Sequence, residues 1–205
     1  MSDTQTDAAI RVYDEQAEQF AKRRRADGVE HGWLRRFLDL LPEEPAVLDA
    51  GCGTGTPVAA ALIAQGCKVT GIDAAAGMLE LARAAFPEAT WLLGDFRDLP
   101  DTGDFDGIVA WHSFFHLDAP AQRRALPDLA LRVKPGGAVL MTVGDRPGPV
   151  YGQVAGHPVF HDSLEETEYR GIMTQAGFET LAFQRNDPDC GGATVLLCRR
   201  MEGLS

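Results

Sequence analysis

Three glycines within five residues follow a short apolar run, and this stretch constrains the fold more than any other. Val47–Ala50, which contains Asp49, has the composition of a buried parallel strand. Gly51, Gly53 and Gly55 allow the backbone to turn sharply and to approach a ligand where a Cβ atom would collide. A proline after the turn suits the first turn of a helix. A strand, a glycine turn and a helix in this order predict the opening of a nucleotide-type binding site.

Two later segments repeat the pattern of an apolar strand followed by an aspartate. Residues 67–73 end at Asp73, and residues 90–96 end with Asp95 and Phe96. Parallel strands would bring these ends to one edge of the sheet, where ligands bind in open α/β folds. We therefore expect the Asp73 carboxylate to accept hydrogen bonds from a ribose beside the glycine turn. The alternative is a surface aspartate that caps the next helix.

These residues together resemble the class I S-adenosylmethionine (SAM) dependent methyltransferases. The segment 47–55 resembles their first motif, because Thr56 stands where dinucleotide-binding folds place a third glycine. Asp73 followed by Met78 resembles the family pattern in which a methionine packs near the adenosine, although Ala75 stands where the family often has a serine. Residues 134–143, a helix end followed by an apolar strand, resemble a further signature of the family.

The resemblance implies an α/β fold, a Rossmann-like three-layer sandwich. Its sheet would be mostly parallel and seven-stranded, with an antiparallel C-terminal hairpin strand. We expect a single methyltransferase domain over 1–205, with N-terminal helices over 1–42 as a cap and a cofactor-binding half over 43–144. A C-terminal helix and strands would occupy 163–205.

Residues 145–162 contain several prolines and glycines and show no clear period. Long irregular segments inside a compact domain are usually functional or disordered, so we predict a lid loop over the acceptor site. Tyr151 in this segment is assigned to the acceptor site. Ser163 with Glu166 predicts a capping box at the start of the next helix.

The resemblance also implies which residues bind the SAM cofactor. Asp95 would accept from the adenine amino group, and the backbone N–H of Phe96 would meet the adenine ring. Ala110 and Trp111, at the end of the predicted fourth strand, would line the methionine end. The expected cofactor-binding residues are Asp49, Gly51, Cys52, Gly53, Gly55, Asp73, Ala74, Met78, Asp95, Phe96, Ala110 and Trp111.

Catalysis would need a general base only for an acceptor that arrives protonated. His116 is the first candidate and His112 the second, because both follow the strand toward whose end the methyl group would point; a packed histidine is the alternative. Tyr13, or an arginine of the run 22–25, would reach the cofactor carboxylate or cap the acceptor pocket, unless the run only complements a helix dipole. The acceptor-site residues are therefore Tyr13, His112, His116 and Tyr151.

Composition limits the partners. A net charge of −11 argues against nucleic acid and against an anionic membrane. No apolar run reaches the roughly 18 residues of a membrane span. Four cysteines without zinc-type spacing or an export signal suggest reduced thiols in the cytoplasm. His112 with His116, and His157 with His161, have a spacing that permits metal pairs, but no third ligand is placed and no metal site is assigned.

The predicted function is methyl transfer from SAM to a small molecule by a monomer or homodimer. Two alternatives stay open: a non-catalytic SAM-binding module and a nicotinamide-dependent oxidoreductase. The oxidoreductase would need a glycine at position 56, where Thr56 stands, and a hydride-site pair such as Tyr-x-x-x-Lys, and neither is present. Cys52 lacks an adjacent base, so we interpret it as a small residue filling the turn.

Overall fold

The computed structural model describes residues 4–23, 28 and 30–203. The helices are α1 (Gln5–Glu15), α2 (Ala17–Arg23), α3 (His31–Leu38), α4 (Val58–Ala64), α5 (Ala76–Ala85), α6 (Ala119–Leu131) and α7 (Glu166–Gln175). The strands are β1 (Ala46–Ala50), β2 (Lys68–Asp73), β3 (Thr90–Leu93), β4 (Phe105–Ala110), β5 (Val133–Val143), β6 (Val150–Val154), β7 (His157–His161), β8 (Phe178–Asp187) and β9 (Ala193–Arg200). Short 3-10 helices cover Phe114–His116 and Pro188–Cys190.

Seven strands form one twisted sheet in the order β3-β2-β1-β4-β5-β9-β8. Strands β1 to β5 pair in parallel, and β9 runs antiparallel to both of its neighbours. This arrangement confirms the predicted Rossmann-like fold with a mostly parallel sheet and an antiparallel C-terminal strand. The parallel register brings the carboxyl ends of β1, β2 and β3 to one edge.

Helices cover both faces of the sheet, which explains why its central strands are continuously apolar. Val47 packs among α3, α4 and α5, whereas its neighbour Leu48 packs on the opposite face among α6 and α7. Both side chains are fully buried. No helix in the described part of the chain is long and apolar enough to cross a membrane.

The predicted lid loop over 145–162 is wrong in its secondary structure, because most of this segment forms the β6–β7 hairpin. Ala155 and Gly156 both have positive φ (51° and 89°), the geometry of the two-residue turns that match strand twist. The hairpin is a separate two-stranded sheet, so Pro158 is tolerated at an edge. Half of its strand residues are exposed and the buried ones, Val159 and Phe160, are adjacent, so there is no apolar alternation for a sequence pattern to reveal.

The predicted capping box at Ser163 is also wrong. Helix α7 begins after Glu165, whose side chain makes no capping hydrogen bond. The Ser163 hydroxyl instead accepts from the backbone N–H of Gly144 at 2.7 Å. Ser163 therefore ties the start of the hairpin segment to its end.

The N-terminal helices are shorter than the sequence pattern indicates. Within the cap predicted over residues 1–42, the described residues form α1, α2 and α3, with α1 and α2 separated at Gln16 and α3 ending at Leu38. The arginine run predicted to reach the cofactor falls partly on Arg24 and Arg25, and these lie outside the described residues, as does Val29. Thr4 and Asp7 form a reciprocal capping box that fixes the start of α1.

Candidate active site

A cavity of about 320 Å³, here called the central cavity, opens at the carboxyl ends of β1, β2 and β4 and beneath α1. This volume lies within the range of small-molecule sites. Thirteen of the predicted site residues line it: Tyr13, Asp49, Gly51, Cys52, Gly53, Asp73, Ala74, Met78, Asp95, Phe96, Trp111, His112 and His116. The structure thus brings both predicted groups, the cofactor set and the acceptor set, to one place.

The glycine turn needs glycine for two different reasons. Gly51 has φ 73°, and a Cβ atom there would come within 2.2 Å of the Ser113 Cβ atom. Gly53 has φ 54°, and a Cβ atom there would meet no atom within 4 Å. Gly51 is therefore required by packing, whereas Gly53 presents bare backbone at the cavity wall.

Asp73 is joined directly to the glycine turn. Its Oδ2 atom accepts from the Gly53 N–H at 2.8 Å, and its Oδ1 atom accepts from the Ala75 N–H at 2.9 Å. Burial raises the pKa of the Asp73 carboxyl, and these N–H donors partly oppose that rise. Each oxygen keeps a further lone pair, so the carboxylate can still accept from a ligand.

Asp95 reaches the cavity from the loop after β3, and its carboxylate is held by Arg97 through contacts of 2.6 to 3.1 Å. The same guanidinium bonds Asp7 on α1 at 2.7 Å. Hydrogen bonds from Thr4 and Arg97 hold the pKa of the Asp7 carboxyl far below its usual value. Arg97 thus links the predicted adenine side of the cavity to the helix that covers it.

His116 lies at the opposite end of the cavity, and burial lowers its pKa to about 4. Its Nδ1 atom is 3.0 Å from the Phe160 carbonyl oxygen, which can only accept, so Nδ1 carries the proton. Its Nε2 atom is then an acceptor, and the Tyr13 hydroxyl donates to it at 3.0 Å. At neutral pH this gives a neutral histidine with a fixed tautomer and a tyrosine in front of it.

His112 occupies a sparsely populated backbone conformation with φ 53°. Its N–H donates to the Thr142 hydroxyl at 2.7 Å, which fixes the turn that follows β4. Its ring packs against Trp111 and Phe115. Left-handed histidines of this kind cluster at functional sites.

Three predicted site residues lie elsewhere. Gly55 faces the core, where a Cβ atom would come within 2.9 Å of Trp91. Ala110 is fully buried in β4 and does not line the cavity. Tyr151 is 63% exposed on the hairpin and packs on Phe160, away from the cavity, so the structure removes it from the acceptor site.

Cys52 lines the cavity but has the environment of a packing residue. Burial, with smaller contributions from Asp49 and Asp73, raises the pKa of its thiol well above the usual value. A thiol held neutral is a poor nucleophile. No group of three or more His, Cys, Asp or Glu within residues 4–23, 28 and 30–203 is arranged to hold a metal ion.

The sequence interpretation missed part of the acceptor end. Residues from the first two helices, from the 3-10 helix after β4 and from the hairpin also line the cavity, among them Thr6, Ile10, Phe20, Phe115, Gln153 and His161. The Thr6 hydroxyl donates to the His116 carbonyl oxygen at 3.0 Å, across 110 residues of chain. The sequence of α1 indicates an apolar face, but this pattern predicts packing against the protein core as well as it predicts a cavity wall.

Comparison with known proteins agrees with this geometry. A family model described as a methyltransferase domain matches residues 47–137. The biotin biosynthesis bifunctional protein BioHC of Cellvibrio japonicus is 30% identical over 173 residues, covering 76% of this chain and 32% of BioHC. A tRNA (carboxymethyluridine(34)-5-O)-methyltransferase of Arabidopsis thaliana is 32% identical over 135 residues, covering 65% of this chain and 31% of the plant protein.

The fold is shared with solved structures. SAM-bound CalS10, an amino pentose methyltransferase from Micromonospora echinaspora, aligns with a TM-score of 0.70 at 19% identity and covers 91% of this chain and 96% of CalS10. The chain spans less than two-thirds of the length of the curated relatives it matches. With its motifs, its strand order and the matched domain, the chain belongs to the class I S-adenosylmethionine-dependent methyltransferases.

Proposed function

We propose that this protein transfers a methyl group from SAM to a small-molecule acceptor by in-line displacement. One observation carries the proposal: a single cavity holds the glycine turn and two strand-end carboxylates, and also the Tyr13–His116 pair. A cofactor and an acceptor bound there would be in contact. Positioning two reactants in this way corresponds to effective molarities of about 10⁵–10⁸ M.

The residues present fit the cofactor. Gly53 leaves open space at the cavity wall, and the Asp73 carboxylate is fixed beside it by backbone N–H groups. We assign the ribose hydroxyls to Asp73 and the adenine amino group to Asp95, with Met78 and Phe96 against the adenosine. When bound, SAM supplies a methyl group on a positively charged sulfur. The acidic lining, with Asp49 1% exposed, suits that charge.

Tyr13 and His116 would handle the acceptor's proton. An acceptor hydroxyl in contact with the Tyr13 oxygen passes its proton to that oxygen, while the Tyr13 proton moves to Nε2 of His116. The Nδ1 atom keeps its proton, which it continues to donate to the Phe160 carbonyl oxygen. The imidazolium formed replaces the positive charge lost from sulfur, so the total charge in the cavity is unchanged. General base catalysis of this kind contributes roughly 10²–10⁴-fold.

The covering helix would exclude water from the reacting atoms. Besides its contacts with His116, α1 is held by the Asp14 carboxylate, which accepts from the Gly77 N–H of α5 at 2.7 Å. Together with the Arg97 contacts, these hydrogen bonds fix α1 over the cavity at both of its ends.

The small-molecule class rests on the net charge of the chain and on the volume of the central cavity, about 320 Å³. A net charge of −11 opposes RNA binding, although one relative is named as a tRNA methyltransferase, so RNA belongs among the acceptors tested. All four cysteines are free and buried, which supports a reducing, cytoplasmic setting. We propose a monomer or homodimer, which sedimentation would distinguish.

Calorimetric titration with SAM, its demethylated product S-adenosylhomocysteine (SAH) and NAD tests the cofactor assignment. We expect SAM and SAH to bind and NAD not to bind; the reverse result would support the oxidoreductase. Transfer of a labelled methyl group to a panel of metabolites and to a tRNA pool then tests catalysis. SAM binding without transfer to any acceptor would support a non-catalytic module.

A further inference from the structure

A second cavity of about 250 Å³, here called the side cavity, lies next to the central one, at the carboxyl end of β5. Its walls are the segment 142–150, which leads into the hairpin, and the turn 186–194 between β8 and β9. His112, Phe115 and His161 line both cavities. The two cavities therefore adjoin at these three rings.

The central cavity disfavours an anionic acceptor. Three carboxylates line it, and none of its described lining residues is a lysine or arginine. At its acceptor end the titratable groups are Tyr13 and the histidines, and burial lowers the pKa of both His116 and His161, which keeps these two neutral. A carboxylate or phosphate bound there would find no lysine or arginine side chain among these lining residues to replace its hydration.

The side cavity combines donors and acceptors without excess positive charge. Asp145, Arg146 and Asn186 are exposed at its rim and offer a carboxylate, a guanidinium and an amide. The adjacent charges of Asp145 and Arg146 offset each other. The carboxylate of Asp162 also lines this cavity, and it accepts backbone N–H groups from Ala119 and Ser163.

Such a mixed set fits hydroxyl groups, because each hydroxyl both donates and accepts. We propose that the side cavity binds the non-reacting part of the acceptor, and that this part is uncharged and rich in hydroxyl groups, as in a sugar. This inference rests on the proposed methyl transfer and names the substrate class of that site. It predicts that a carboxylate or phosphate on this part of the acceptor weakens binding.

His112 is one of the three residues that line both cavities. Its left-handed backbone and its hydrogen bond to Thr142, a residue of the side cavity, fix its ring at the boundary. The acceptor would thus pass His112 with its reacting atom on the Tyr13 side and its hydroxyl groups on the Asn186 side.

Two matched probes test the charge preference. The full chain, saturated with SAH and labelled with nitrogen-15, is titrated with phenyl β-glucoside and with phenyl β-glucuronide. The two probes differ only at C6, which is a hydroxymethyl group in the glucoside and a carboxylate in the glucuronide. We expect the glucoside to shift the amide signals of Gly148, Asn186 and Thr194, and the glucuronide to bind at least tenfold more weakly. Equal or tighter binding of the glucuronide, or no shift of these amides by either probe, would overturn the inference.

A variant that fills the side cavity tests the location. Val150 lines this cavity and is 46% exposed, so Val150→Trp narrows it without disturbing the core. We expect glucoside binding to fall at least tenfold and SAH binding to stay unchanged. Leu181→Trp, at a residue that lines neither cavity, is the control. If Val150→Trp leaves glucoside binding unchanged, the assignment of the side cavity as the binding site is wrong, but the proposed methyl transfer is not affected. If the wild-type chain fails to bind SAH, the proposed function is contradicted as well.

Discussion

The two ends of the central cavity are built in different ways. At the cofactor end, each contributing segment follows a parallel strand, and the Gly53–Asp73 hydrogen bond joins residues only 20 positions apart. At the acceptor end, Tyr13 and His116 are 103 positions apart, and the Phe160 carbonyl that orients His116 lies on a separate two-stranded sheet. The cofactor end is thus part of the sheet, whereas the acceptor end is assembled on top of it.

This difference has a consequence for function. Strand register fixes the cofactor end, so changes there disturb the sheet. The acceptor end depends on how α1 and the hairpin pack on the sheet, and their residues can change without altering the strand order. A fold built this way can keep one cofactor while its acceptor differs from one relative to another.

Replacement of His116 should produce the largest effect, a loss of turnover without a loss of SAM affinity. For an acceptor that loses a proton, His116→Gln should lower turnover by about 10²–10⁴-fold, because the base behind Tyr13 is removed. The SAM dissociation constant should stay within about threefold of the wild-type value. Labelled methyl transfer measures the first quantity, and calorimetry measures the second.

The exposed His157 on the same hairpin provides the control, since His157→Gln removes an imidazole without touching the cavity. Tyr13→Phe should resemble His116→Gln in sign, because it interrupts the same relay. Equal loss of SAM affinity in His116→Gln would mean that the two ends of the cavity are not separable.

The pH dependence of stability should also distinguish the two ends. The pKa of His116 is about 4 in the folded chain against an ordinary 6.5, so below pH 6.5 the unfolded chain binds the additional proton first. The free energy of unfolding should therefore fall as pH decreases from 6.5 toward 4, by up to about 3 kcal/mol from this residue. Urea unfolding at pH 7.5 and 4.5 measures the change.

His116→Gln should lose less stability over this pH interval than the wild type, and His157→Gln should lose as much. Turnover should likewise persist down to about pH 5, since the base stays neutral. A rate that declines near pH 6.5 would contradict the lowered pKa.

The sequence predicted which strand-end residues meet in the central cavity, because local patterns encode them. An apolar run, a turn residue and an acid recur at each strand end, and the parallel fold brings Asp73 and Asp95 to one cavity. Gly55 shows the limit of this reasoning. It belongs to the glycine motif, but it packs against Trp91 and does not line the cavity. A motif indicates backbone shape and leaves the direction of each residue open.

The acceptor end was predicted only in part. His112 and His116 could be named because they directly follow β4, and Tyr13 because it is an aromatic residue on an amphipathic helix. His161 could not be placed, since its position depends on a hairpin whose exposed strands have no apolar period. Tyr151 was misplaced for the same reason: one residue of shift along a strand changes the face it occupies.

A substitution at Asp73 tests the cofactor end. Asp73→Ala should weaken SAM binding more than tenfold, because charge-assisted hydrogen bonds contribute roughly 1.5–3 kcal/mol each. Asp104→Ala, at an exposed acid before β4, controls for the change in net charge. Calorimetry gives the affinities, and unchanged SAM binding by Asp73→Ala would remove the ribose assignment.

The smallest effect is expected from loss of the ion pair between Arg97 and Asp7. Arg97 also pairs with Asp95, so it connects the cofactor end of the cavity to α1. Asp7 is 36% exposed in this contact, and exposed pairs contribute about 0–1 kcal/mol. Asp7→Asn should therefore lower the free energy of unfolding by no more than about 1 kcal/mol while speeding hydrogen exchange of the α1 amides. The wild type in 1 M salt should approach the exchange rate of the variant, because salt screens exposed pairs. Asp128→Asn, at an exposed site on α6, should show neither effect. Exchange in α1 that is unchanged by Asp7→Asn would mean that the Tyr13 and Thr6 contacts with His116 hold the helix without help from the cofactor end.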